Sequence, residues 1–189
     1  GWFYSVDAQG KPLDRRKDLY THAFIVFACA HYWDKSRDSL AESTLNAALS
    51  VVSERFANGD GLYEASLGED WSDLASGPLQ NPLMHLAEAF LATLAVREDA
   101  AVQRALLALV EGMQAQFIDP QHGVMLEKPR GSVDNWFEPG HQFEWFYLLD
   151  TSPLLKGSAL HGSLERAFAF AEERLSLIHI SEPTRLLSI

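Results

Sequence analysis

Apolar residues recur along the chain in six segments that have the length and spacing of α-helices. Three of them, near 16–33, near 81–96 and from 141 onward, are apolar on nearly every side, as buried helices are. The other three, near 36–56, 99–117 and 159–175, carry a single apolar stripe, as surface helices do. The two kinds alternate, so the pattern predicts three pairs, each with an inner and an outer helix.

The outer helices can be assigned buried stripes from their apolar spacing. For the second helix we predict Leu40, Thr44, Ala48, Val51 and Val52. For the fourth we predict Val102, Leu106, Leu109, Met113 and Phe117. For the sixth we predict Leu160, Leu164, Ala167, Phe168 and Ala171. The lone cysteine, Cys29, lies in an apolar run of the first helix and is expected in the core.

A glycine-led segment precedes each later inner helix and opens the chain. These segments begin at Gly1, Gly61 and Gly123, so their spacings are 60 and 62 residues, and each is expected to form a short β-hairpin. Helical solenoids usually repeat at about 34–47 residues, which is shorter. The pattern therefore favours an all-α fold in which inner and outer helices form a double ring, the (α/α) barrel or toroid.

The loops that precede the inner helices are long, whereas the links within a pair are short. Antiparallel helices bring the long loops to one end, where function usually lies. A closed (α/α)6 ring needs about twice this length, so we expect 1–175 to be part of a longer barrel domain. Residues 176–189, SLIHISEPTRLLSI, lack the next glycine-led segment and resemble translated sequencing-adapter read-through. We interpret them as a non-native tail.

Five side chains fall in the first turns of inner helices, at the predicted long-loop end. Asn81 and His85 are four residues apart, and His141 and Glu144 are three apart, so each pair shares a helix face. Tyr20 has the corresponding early position on the first helix. Histidine transfers protons near neutral pH, and Asn, Tyr and Glu bind hydroxyls. We predict that the five line one concave face, although any one histidine alone is more simply a core residue.

Other functions are disfavoured to different degrees. The net charge of −11 argues against nucleic-acid binding, and no apolar stretch reaches the about 18 residues of a membrane helix. The chain lacks a nucleotide-binding glycine fingerprint and a Gly-x-Ser-x-Gly elbow. A metal site from His85, His141 and Glu144 has no supporting HExxH spacing, so we predict no metal and no cofactor.

Two non-isomerase alternatives stay open at this point. A hydrolase on the same scaffold would need two carboxylates, for which Glu138 and Glu144 are conceivable. A non-catalytic carbohydrate-binding barrel is the other alternative. Trp71, Trp136 and Trp145 could offer flat surfaces to a sugar, although core packing is the simpler role for each.

Three segments resemble the N-acylglucosamine 2-epimerase superfamily, which includes mannose isomerases, sulfoquinovose isomerases and cellobiose 2-epimerases. They read GWFYSVDAQGKPLDRRKDLYTHAF, LQNPLMHLAEAFLA and EPGHQFEW. The resemblance implies an (α/α)6 barrel over about residues 1–175. It also implies metal-free aldose–ketose isomerisation or 2-epimerisation through a cis-enediol. The opening segment looks closer to the mannose isomerase branch, so we expect a cytoplasmic isomerase that acts on a small sugar.

The resemblance further assigns roles to residues. His141 is implied as one of two acid/base histidines, with Glu144, Asn81, His85 and Tyr20 binding the sugar. The second acid/base histidine and a substrate-binding arginine would lie outside this chain. We therefore expect the 189-residue chain by itself to be inactive and poorly soluble.

Overall fold

Six α-helices in three successive pairs account for most of the described residues, as the apolar pattern predicts. The computed structural model describes the backbone of residues 1–181 and the side chains of residues 1–173. The helices are α1 (Leu19–Ser36), α2 (Ser39–Val51), α3 (Gln80–Val96), α4 (Ala100–Phe117), α5 (Pro139–Thr151) and α6 (Ala159–Ser181). Of the predicted tail, 176–181 continue α6, and 182–189 lie outside the described residues. Its non-native origin stays a prediction.

The few strands are short and lie before the inner helices. The strands are β1 (Ser5–Val6), β2 (Pro12–Asp14), β3 (Lys17–Asp18) and β4 (Ser66–Leu67). They form two antiparallel two-stranded sheets, β1–β2 and β3–β4. The first helix was predicted from Arg16 but begins at Leu19, because Lys17 and Asp18 pair with β4 and the Asp18 carboxylate caps the helix at Thr21 N, 2.9 Å away.

The glycine-led repeat corresponds to two matched turns. Ala57 pairs with Tyr63 around Gly61, and Ile118 pairs with Met125 around Gly123. Both glycines have left-handed backbones, with φ of 77° and 72°. At Gly61 a Cβ would also lie 2.6 Å from the carbonyl oxygen of Ala108, so only glycine fits there.

The predicted outer stripes are confirmed for α4 and nearly so for α6, where only Phe168 is half-buried. The α2 stripe is confirmed at Ala48 and Val52 but was wrong at its start, where Leu40 is 73% exposed and Thr44 is only half-buried. The buried residues are Ala41, Leu45 and Ala48, continued by Val52 and Phe56 in a π-helical turn. The side chains that follow Leu40 and Thr44 by one residue face the core instead.

The inner helices differ in how much they bury. Buried residues surround most of α3, as predicted. On α1 they form one stripe that packs against α2 and α3, and Cys29 lies off it, half-buried rather than in the core. On α5 only Gln142, Trp145 and Leu149 are buried. A helix buries only the faces that have neighbours, so an all-round apolar sequence overstates burial for α1 and α5.

The helices belong to two compact units. The first comprises Gly1–Ala115 and holds α1, α2, α3 and most of α4, and the second begins at Gln116 and holds α5 and α6. The predicted single domain over 1–175 stays a prediction. No helix within the described part of the chain is long and apolar enough to cross a bilayer.

Candidate active site

The first unit brings together two of the predicted site residues, Tyr20 and His85. Tyr20 is the second residue of α1, and His85 lies on the second turn of α3. The two rings meet edge to face, with centroids 4.9 Å apart, and Phe24 contacts the same imidazole at 4.9 Å. Because Tyr20 and Phe24 are more than a third exposed, this cluster offers aromatic surface and an imidazole to a ligand.

The imidazole of His85 has a carboxylate partner that the sequence analysis did not single out. Nδ1 of His85 lies 3.1 Å from Oε2 of Glu88, three residues along α3. The side chains are 18% and 35% exposed, so the pair is accessible to solvent. Such a pair orients the ring with little effect on the stability of the protein.

Asn81 lies in the first turn of α3, one helical turn before His85. Its Oδ1 atom is buried and has no hydrogen-bond partner among the described residues. A buried acceptor without a donor is costly unless a ligand or water satisfies it. The amide is therefore suited to accept a hydrogen bond from a hydroxyl group.

His22, near the start of α1, has a structural role. Nδ1 lies 2.7 Å from the carbonyl oxygen of Asp18, and Nε2 accepts a hydrogen bond from the backbone N–H of Trp2 at 3.2 Å. The side chain is completely buried, and burial lowers the pKa of His22 below its usual value. A neutral ring with both nitrogens in use has no atom left for proton transfer.

In the second unit, His141 lies at the start of α5 and faces a buried carboxylate. Nδ1 lies 2.8 Å from Oε1 of Glu127, and the two side chains are 22% and 8% exposed. The hydrogen bond to Glu127 raises the pKa of His141, and the charges of Glu127, Glu144 and Glu138 add to it against the effect of burial. None of the described residues hydrogen-bonds Nε2, which leaves that atom for a substrate.

Glu127 is held in place by the hairpin that precedes α5. Its backbone N–H donates to the carbonyl oxygen of Trp136 at 2.9 Å. The side-chain amide of Asn135 accepts from the backbone N–H of Lys128 and donates to the Lys128 carbonyl oxygen, which closes the same loop. The buried Gln142 then ties α5 to the hairpin, because its amide accepts from the N–H of Met125 at 2.8 Å and donates to the Met125 carbonyl at 2.9 Å. Two rigid elements thus fix the His–Glu geometry.

The remaining predicted residues of the second unit are placed as follows. Glu144 is exposed on α5, and the hydrogen-bond partner of His141 Nδ1 is Glu127 instead. Trp145 is fully buried and belongs to the core. Trp136 is 48% exposed, and its Nε1 donates to Glu138 at 3.0 Å. Glu138 thus accepts a hydrogen bond from a neighbouring tryptophan.

The predicted set therefore divides between the units, with Tyr20, Asn81 and His85 in the first and His141 and Glu144 in the second. That all five line one concave face stays a prediction. Glu88 and Glu127 were missed. Glu127 had a signal in the sequence, because it is the first charged residue after the apolar run of the third glycine-led segment. No cluster of three or more His, Cys, Asp or Glu suited to a metal occurs within the described residues.

The sequence also matches a known family. The family model of N-acylglucosamine 2-epimerase (GlcNAc 2-epimerase) matches residues 1–176. The chain belongs to the N-acylglucosamine 2-epimerase family. The fold agrees, because the structure of cellobiose 2-epimerase from Bacillus thermoamylovorans superposes with a TM-score of 0.78 at 19% identity, over 92% of this chain and 49% of that one. Such structural neighbours within the family are (α/α)6 barrels.

Relatives with curated functions match different shares of the chain. Cellobiose 2-epimerase of Dictyoglomus turgidum is 22% identical over 79% of this chain and 42% of its own length. D-mannose isomerase of Thermobifida fusca is 37% identical over 49% of this chain and 23% of its own length. The chain thus spans less than half the length of these curated relatives.

Proposed function

We propose that the protein to which this chain belongs is a sugar aldose–ketose isomerase of the mannose isomerase type. The observation that carries the proposal is the His141–Glu127 pair, in which a hydrogen-bonded imidazole has a raised pKa and an unoccupied Nε2. Such a group can accept a carbon-bound proton and return it near neutral pH. The cytoplasm is the proposed location.

His141 is proposed as an acid/base residue. A base takes the C2 proton of the open-chain aldose and leaves an enediolate with its negative charge on O1. Delivery of that proton to C1, with transfer of the O2 hydroxyl proton to O1, then gives the ketose. Tyr20, Asn81, His85 and Glu144 are proposed to bind the sugar through its hydroxyls and ring face. For Asn81 the support is its buried Oδ1 atom, and for Tyr20 and His85 it is their mutual ring contact.

A 2-epimerase is the second candidate, because the similarity to cellobiose 2-epimerase extends over 79% of the chain. The chemistry differs in one step only, since the proton returns to the opposite face of C2 instead of C1. No metal is proposed for either reaction, because imidazoles can perform both transfers.

One experiment separates the candidates. A longer protein that contains this chain and reaches the length of its relatives is incubated in D2O with mannose, and separately with cellobiose. Isomerisation yields fructose with deuterium at C1, whereas epimerisation of cellobiose yields a C2 epimer with deuterium at C2. Turnover that persists in a chelator supports the metal-free reaction. If neither sugar is converted, both candidates are wrong.

A further inference from the structure

The carboxylate that faces His141 has the geometry of a tautomer-setting partner. Oε1 of Glu127 is 2.8 Å from Nδ1, and the Glu127 side chain is only 8% exposed. A carboxylate accepts hydrogen bonds, so Nδ1 must carry a proton. In the neutral ring the lone pair is then on Nε2, and the two nitrogens have distinct tasks.

Comparison of the two matched hairpins shows that the fold itself does not need a carboxylate at this position. Ala65 lies two residues after the bridging Tyr63, and Glu127 lies two residues after the bridging Met125. The N–H of Ala65 donates to Gly77 at 3.0 Å, as that of Glu127 donates to Trp136 at 2.9 Å. Both residues are buried. The first hairpin forms with the methyl side chain of Ala65 at this position, whereas the second buries the carboxylate of Glu127 there.

A buried carboxylate is costly to desolvate, so it needs a compensating partner. The imidazole of His141 is that partner, and Gln142 locks the helix to the hairpin beside it. Of the other two nearby carboxylates, Glu144 is exposed and Glu138 accepts from Trp136, so Nδ1 is left to Glu127. The buried carboxylate of Glu127 is therefore placed to interact with one atom, Nδ1 of His141.

We propose that Glu127 is the positioning residue of His141, holding the proton on Nδ1 and presenting Nε2 as the atom that exchanges a proton with the sugar. The inference rests on the proposed function for its chemical meaning. When Nε2 takes a proton from carbon, the ring becomes an imidazolium with N–H groups on both sides, and the carboxylate stabilises that charge. Glu127 itself neither gains nor loses a proton.

The first test does not depend on activity. The longer protein that contains this chain, labelled with 15N-histidine, is titrated by NMR as wild type, Glu127→Gln, Glu127→Ala and Glu165→Gln. Glu127→Gln keeps a carbonyl acceptor but removes the charge, so the titration midpoint of His141 should fall while Nδ1 stays protonated. Glu127→Ala, which copies Ala65, should also give a mixture of tautomers. Glu165→Gln, an exposed site on α6, should change neither signal.

Unchanged His141 signals in both Glu127 variants would overturn the assignment. Circular dichroism checks that the variants fold, and the near-isosteric Gln variant keeps the test valid if the Ala variant does not. The second test is kinetic, in the longer protein. Glu127→Gln should lower kcat at least about tenfold with little change in KM, and should move the limb of the pH–rate profile in the direction of the NMR midpoint.

The outcomes separate this inference from the proposed function. If the wild type converts sugar and Glu127→Gln keeps its kcat and pH profile, the positioning role is wrong and the proposed function stands. If the wild type converts no sugar, the proposed function is wrong, and the NMR titration by itself decides whether Glu127 sets the tautomer of His141.

Discussion

Each unit contains a histidine followed three residues later by a glutamate on an inner helix, yet only one of these spacings gives a contact. In α3, Nδ1 of His85 meets Glu88 at 3.1 Å. In α5, Nδ1 of His141 meets Glu127, from the preceding hairpin, at 2.8 Å, and Glu144 stays exposed. The same four-residue pattern thus has two structural outcomes.

The difference shows what helical spacing does and does not determine. A spacing of three residues brings two side chains within reach, but a competing partner from another element can take the hydrogen bond. The two imidazoles are similarly exposed, at 18% and 22%, but the carboxylate of the α3 pair is 35% exposed and that of the second unit only 8%. Solvent screens the more exposed carboxylate more strongly, so loss of the carboxylate is expected to have the larger effect in the second unit.

The largest contrast is expected in catalysis. His141→Gln should lower kcat roughly 10²-fold or more, because the proposed acid/base atom is lost. His85→Gln should instead act mainly through KM, because that residue is proposed to bind sugar. Steady-state kinetics of mannose isomerisation in the longer protein measure both. Equal losses of kcat in the two variants would contradict the proposal that His141 transfers protons and His85 binds the sugar.

The next contrast is in stability. Glu127→Ala leaves a half-buried imidazole N–H without its acceptor and should cost about 1–3 kcal/mol in the free energy of unfolding. Glu88→Ala removes a partly exposed pair within one helix and should cost at most about 1 kcal/mol. Urea denaturation of the longer protein measures both values. A larger loss for Glu88→Ala would contradict the burial argument.

The pH dependence of stability should have opposite signs at His22 and His141. The folded-state pKa of His22 is lowered, so below about pH 6.5 the unfolded chain takes up a proton that the folded one resists, and stability falls as pH falls. The folded-state pKa of His141 is raised, so its contribution is complete below about pH 6.5 and is lost as pH rises through the folded value.

Each of these slopes can reach at most about 1.4 kcal/mol per pH unit for one proton. Urea midpoints from pH 5 to pH 9 should therefore lose their acid slope in His22→Asn and their neutral-to-alkaline slope in His141→Asn. His31→Asn, at an exposed position on α1, is the matched control and should keep both slopes. Slopes of the same sign for His22 and His141 would contradict the two assigned environments.

The smallest effect is expected from Glu144, one of the carboxylates near His141. Glu144 acts on this ring only through its charge, and it comes after Glu127 among the causes of the raised pKa. Glu144→Gln should therefore lower the NMR titration midpoint of His141 by less than Glu127→Gln does, with no change of tautomer. A larger decrease in Glu144→Gln would reverse the ranking of the two carboxylates.

The sequence by itself determined the six helices, their alternation and the glycine turns, because these depend on residues that are near one another in the chain. Apolar spacing sets a helix stripe, and a left-handed turn selects glycine at Gly61 and Gly123. The motifs around Asn81, His85 and His141 likewise placed candidate residues at the starts of α3 and α5 without any structure.

Only the tertiary structure decided which side chains meet. Glu127 and His141 are 14 residues apart, and the backbone N–H of Trp2 meets His22 across 20. The pairing of β3 with β4, which fixes where α1 begins, also joins distant segments. Hydrogen bonds and burial depend on the packing of separate elements, and a periodic pattern carries no information about that packing. For this reason the sequence identified His141 as a candidate, but the structure was needed to identify its partner.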